Sequence, residues 1–132
     1  MPSGSFFASL AGEQIGGPRA DFVIVEWTDS GESGHEWIAP LHVHHVDDEA
    51  WYVLEGMLRF RIDDEIREVG PHSAVAASKG TPHAFGNAGH GQAARYLVVM
   101  TPKIRALVQA LHEPGDRDYG EIFRAHDSEL LG

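Results

Sequence analysis

Residues 40–56 read Pro40-Leu-His42-Val-His44-His45-Val-Asp47-Asp48-Glu49-Ala-Trp51-Tyr52-Val53-Leu54-Glu55-Gly56. Three side chains of metal-ligand type, His42, His44 and Glu49, fall within this short run. Residues two apart on a β-strand share a face. His42 and His44 therefore present two imidazoles side by side, and His45 points to the opposite face. Asp47 and Asp48 cap or solvate a short connection. Glu49 then opens the next strand, Glu49–Leu54, which Gly56 closes. If that strand pairs with the one carrying His42 and His44, the three groups meet.

A fourth ligand-type residue, His83, follows the Gly80-Thr81-Pro82 turn and opens a later strand. Three imidazoles and one carboxylate suit one divalent ion such as Fe, Ni, Zn, Mn or Cu. A five- or six-coordinate ion on four protein ligands keeps positions for water, substrate or dioxygen. The chain has no cysteine, so thiolate ligands, Cys nucleophiles and disulfides are excluded.

Working outward, the pattern is one of short strands with turn signals between them. Asp21–Trp27, Trp37–His44, Ala74–Ala77, His83–Asn87 and Ala93–Met100 read as strands, with Pro40 marking an edge or a bend. Leu58–Ile62 and Ile66–Val69 read as a hairpin around Asp63-Asp64. Arg59 and Arg61 alternate with Leu58, Phe60 and Ile62. They face either inward, toward a carboxylate substrate, or outward. Beyond Met100 the spacing changes: Ile104, Leu107, Val108 and Leu111 share one helical face, with Thr101 as N-cap and Pro102 at the first helical position. Tyr119–Leu131 reads as a second, weaker helix. The expected organisation is a single domain over 1–132, with an arm at 1–20, a barrel at 21–101 and helices at 102–131.

The 40–56 stretch resembles the first motif of the cupin superfamily: His42-x-His44, four residues, Glu49, six residues, Gly56. Gly80-Thr-Pro-His83-Ala-Phe-Gly-Asn87 resembles the second. Ser78 stands where that motif has Pro, and the opening glycines of the two motifs fall at Gly34 and Gly70, two residues early. All four residues matching the family's metal ligands are present. The stretch is also similar to the small quercetin-dioxygenase-like proteins, and the resemblance implies an all-β double-stranded β-helix, the jelly-roll barrel, with a C-terminal helical segment and one divalent metal on His42, His44, Glu49 and His83. It also implies a metal-dependent dioxygenase-like enzyme for a small organic substrate, with a non-catalytic binding or sensing protein and an isomerase as alternatives, and a homodimer.

Trp51 lies two residues from Glu49 and Phe85 two from His83, so each shares its ligand's face. With Val53 and Met100 they are the candidate pocket wall. Asn87 reads as structural. His35, His72, His90, His112 and His126 read as surface residues.

The net charge is −10, from 20 acidic and 10 basic residues. Nucleic acid is not an expected partner, because phosphate binding calls for a basic face. No apolar run approaches the roughly 18 residues of a membrane span, and the N-terminus lacks a signal-peptide layout. The expected location is the cytoplasm. Phe6, Phe7 and Leu10 on the arm call for burial, which a second subunit would supply.

Overall fold

The computed structural model describes residues 7–16 and 19–132. Strands β1 (Ile15–Gly16), β2 (Val23–Asp29), β3 (Ala39–His44), β4 (Glu49–Glu55), β5 (Leu58–Ile62), β6 (Glu65–Val69), β7 (Ala74–Ala77), β8 (His83–Asn87) and β9 (Ala94–Met100) come first. Helices α1 (Pro102–Leu111) and α2 (Tyr119–Arg124) and strand β10 (Ser128–Leu130) follow. Two five-stranded antiparallel sheets face each other, in the orders β1-β2-β9-β4-β7 and β10-β3-β8-β5-β6. This is the double-stranded β-helix, with a helical segment after the barrel.

Alternation decides which side chains fill the interior. On β9, Ala94, Tyr96, Val98 and Met100 are buried and the residues between them are not. Glu49, Trp51 and Val53 on β4, and Leu58 and Phe60 on β5, follow the same period. The core joins these apolar residues to Val23, Val25, Phe85 and Ile104. Each fully buried Val, Leu or Phe stabilises the fold by about 1.5–3 kcal/mol. Arg59 and Arg61 lie on the outer face of the hairpin: Arg59 stacks over Trp37 at 4.5 Å and pairs with Glu36 at 3.1 Å.

Pro40 sits where the β3–β8 register shifts between Ala39 and His42, beyond the His42–His44 stretch that β10 pairs with, a place that tolerates a missing N–H. One segment differs from the sequence expectation. The second helix over 119–131 is shorter than expected. Asp118 caps α2 by accepting from the Glu121 N–H at 3.1 Å. Residues 128–130 then extend as β10 and pair with His42–His44. Ladder bonds to β3 outweigh the weak local preference for helix there.

Thr101 caps α1 as expected, its Oγ1 accepting from the Ile104 N–H, with Ile104 and Leu107 buried beneath the helix. Gly56 has φ +77°, and a Cβ there would run into the Ala93 carbonyl. Phe6 lies outside the described residues; Phe7 is 86% exposed. Among the described residues no helix is long and apolar enough to cross a membrane.

Candidate metal centre

His42, His44, Glu49 and His83 are all buried, and one ligand atom from each lies within 4.8 Å of the others. They meet by a route other than strand pairing. His42 and His44 stand on β3, with His83 opposite His42 on the neighbouring β8. Glu49 comes from the other sheet, where β4 pairs with β7 and β9. The carboxylate thus faces the imidazoles across the barrel interior. The 45–48 connection is the crossover between the sheets, and not the tight turn of a hairpin.

Each imidazole is oriented through its Nδ1. His42 Nδ1 lies 2.6 Å from the Pro40 carbonyl and His83 Nδ1 2.8 Å from the Thr81 carbonyl. A carbonyl only accepts, so both Nδ1 atoms carry the proton. His44 Nδ1 lies 2.7 Å from Ser128 Oγ, whose hydroxyl donates to the His126 carbonyl at 3.1 Å. That bond leaves the Ser128 oxygen to accept from His44. The Nε2 atoms of His44 and His83 then point at Glu49 Oε1, at 3.1 and 3.3 Å.

A neutral imidazole with its proton on Nδ1 presents a lone pair at Nε2. The cluster therefore directs acceptors at acceptors and calls for a cation at its centre. Burial, helped by the neighbouring His83, pushes His42 down to about 4, so it is neutral at physiological pH. Burial on its own would raise Glu49; without an ion, hydrogen bonds donated by His44 and His83 when their Nε2 atoms also carry a proton outweigh it and hold the carboxyl at about 2. Neutral imidazole and ionised carboxylate are the forms that bind divalent metal. The donor set thus fits one divalent ion of the borderline class, and either that ion or an imidazolium proton holds the cluster together.

The shell around the centre is aromatic. Phe123 of α2 lies 5.4 Å from the His42 ring, and Trp51 5.5 Å from the His83 ring. The candidate wall residues Trp51, Val53, Phe85 and Met100 are all packed in the core, and Met100 also borders a groove of about 410 Å³ that touches Glu49. His45 is half exposed beside Glu129, as strand parity requires. Asn87 staples the following turn by donating to the Gln92 carbonyl and accepting from the Gly89 N–H. Ser128 and Phe123 are the site residues that the sequence reading missed. Their only local signal is a chain segment that looks helical.

Solved structures share the fold. A Klebsiella pneumoniae protein with a double-stranded beta-helix domain aligns with a TM-score of 0.54 at 19% identity, over 75% of this chain and 91% of that one. Iron(II) HppE aligns with a TM-score of 0.51 at 19% identity, over 61% of this chain and 42% of that one. A sugar phosphate isomerase of the cupin superfamily from Silicibacter pomeroyi aligns with a TM-score of 0.53 at 25% identity, over 62% and 51%. This chain thus spans about half the length of the last two proteins. No curated protein matches it. The cupin domain model matches residues 33–100, about half of the chain, and encloses both motifs and all four converging side chains; the protein belongs to the cupin family.

Proposed function

We propose that this chain is a mononuclear metal-dependent enzyme that acts on a small organic molecule with dioxygenase-type chemistry. The observation that carries the reading is the acceptor-only cluster: three imidazoles and one carboxylate, buried, with ligand atoms within 4.8 Å of one another. His42, His44, Glu49 and His83 would hold the ion. When bound, such an ion supplies Lewis-acid polarisation and, if redox-active, an electron path to dioxygen. The chain itself fixes the imidazole tautomers through Pro40, Ser128 and Thr81 and keeps Glu49 ionised. Phe123 and Trp51 exclude bulk water from the centre.

Anaerobic purification followed by metal analysis, then oxygen uptake with flavonols, diketones and catechols, tests the proposal. Stoichiometric iron, nickel or copper with substrate-dependent uptake supports it. No uptake by protein loaded with each of these metals ends it.

A second reading is an isomerase, supported by the 25% identity to the Silicibacter pomeroyi sugar phosphate isomerase. Stoichiometric zinc, with exchange of solvent deuterium into an aldose or ketose phosphate, would favour that reading. Saturable binding without turnover would leave the non-catalytic binding protein. A homodimer is part of the same proposal, motivated by the exposed Phe7; a single monomer mass in sedimentation equilibrium would remove it.

A further inference from the structure

Arg105 stands on α1 and forms no ion pair among the described residues. The arginines of the barrel strands are all paired: Arg59 with Glu36, Arg61 with Asp64, Arg67 with Glu65, and Arg95 with Glu26 and Glu55. The Arg105 side chain donates one hydrogen bond, from Nε to Gln14 Oε1 at 2.9 Å. Its guanidinium carbon lies 6.0 Å from the centre of the Trp27 ring. Neither Nη group has an acceptor among the described residues. The side chain is partly buried, and that burial pushes its pKa down with no neighbouring charge to offset it. A partly desolvated cation without a counter-charge calls for an anion.

Two cavities, of about 500 and 530 Å³, meet at this side chain and share Trp27, Arg105 and Gln109. Each is of ordinary size for a small-molecule site. The first is bounded by Glu13, Gln14 and Glu26 and is polar. The second lies between α1, the end of β2 and Ile38, where Ile38, Tyr96 and Val108 join Trp27 in an apolar wall. A ligand with its charge on Arg105 therefore finds a bed for an apolar body on one side.

The acidic groups at these cavities are engaged elsewhere. Glu13 accepts from the Ser9 N–H, Glu26 pairs with Arg95, and Asp29 accepts from the Gly31 N–H, each at 3.0 Å. They leave Arg105 without a partner, yet their charges disfavour a dianion beside it, so the site balances a single negative charge. The apolar cavity is walled off from the metal centre. Trp27, Tyr96, Phe85, Trp51 and His83 form an unbroken run of ring contacts, with centroids 6.5, 5.6, 5.4 and 5.5 Å apart.

We propose that the groove beside α1 is a second binding site, for a monocarboxylate with an apolar, ring-sized body. The carboxylate pairs with the Arg105 Nη groups, the planar match a guanidinium makes best. The body rests on Trp27, Ile38 and Val108. The site stands apart from the metal centre and does not rest on the enzymatic reading.

3-Phenylpropanoate is the probe, followed by calorimetry and by the Trp27 indole N–H resonance of the full chain, assigned by its loss in Trp27→Phe. The expected result is a saturable shift of that signal. The amide of the same acid keeps the shape and loses the charge, and it binds about tenfold more weakly, the worth of one charge-assisted hydrogen bond. Arg105→Gln brings the acid down to the level of the amide and leaves the amide unchanged. Lys79→Gln, which removes an exposed cation elsewhere, changes neither. Equal affinity for acid and amide overturns the proposal, as does an unmoved Trp27 signal at about 10 mM acid, beyond the reach of a specific site. Both readouts use the unaltered chain and stand even if Arg105→Gln fails to fold. Displacement of the acid by an equal concentration of inorganic phosphate overturns the choice of a monocarboxylate. Binding is expected to be the same in metal-free and metal-loaded protein; acid that binds only with metal belongs to the metal centre, and the separate site is then lost.

Discussion

Ser128 Oγ lies 2.7 Å from His44 Nδ1, and the two residues are paired across β10 and β3. They are 84 positions apart in the chain, and Ser128 lies beyond the 33–100 segment that matches the family. The C-terminal strand therefore sets the tautomer and ring angle of one candidate metal ligand. Ser128→Ala removes the acceptor and leaves the strand pairing intact. Losing such a supporting hydrogen bond typically lowers metal affinity about 10–100-fold. Competition titration against a metallochromic chelator will show a drop of that order for Ser128→Ala, and none for Ser9→Ala on the exposed N-terminal segment.

Removing a ligand has a larger effect than reorienting one. His83→Ala takes out a 1% exposed imidazole from the middle of the cluster. His112→Ala changes an exposed residue at the end of α1. Elemental analysis will find most of the bound metal gone from the first variant and none gone from the second. Equal metal in both would dismiss the ligand assignment.

Acid will destabilise the metal-free protein in a defined window. His42 is held at about 4 in the fold against 6.5 when free. Between those values the unfolded chain binds the proton and the folded chain does not. Stability is therefore level above pH 6.5 and falls as pH drops toward 4, by about 3 kcal/mol for a shift of this size. Glu49, held at about 2 against 4.5, adds a second fall between pH 4.5 and 2. Denaturant midpoints measured across this range will show the first decline beginning near pH 6.5, and His42→Asn will flatten it.

Phe123 is 5% exposed and packs on the His42 ring. Phe123→Ala leaves a cavity beside the centre, and large-to-small changes of this kind cost about 3–5 kcal/mol. Thermal unfolding will show the loss in the metal-free protein. Phe123→Leu, which keeps most of the volume, will recover the greater part of it.

Gly56 closes the first motif with φ +77° and with the Ala93 carbonyl where a Cβ would sit. Gly56→Ala must strain the backbone and push β9 aside. It will destabilise by more than the ~1 kcal/mol typical of a point substitution, read as a lower denaturant midpoint with an unchanged m-value.

Much of this molecule was legible in local pattern. His42 and His44 share a face because a strand repeats every two residues. Glu49, Trp51 and Val53 are buried for the same reason, and Thr101-Pro102 starts α1 by its own capping chemistry. The spacing of His42, His44, Glu49 and His83 marked the converging cluster without coordinates. What the pattern did not carry was the partner of each strand. Glu49 reaches the imidazoles from the opposite sheet and not from a paired strand, and residues 128–130 leave a helix-like context to extend along β3. Both outcomes are set by contacts between positions far apart in the chain, and no local propensity encodes them. The Ser128–His44 bond and the Phe123–His42 contact exist only once the C-terminal segment has docked against β3.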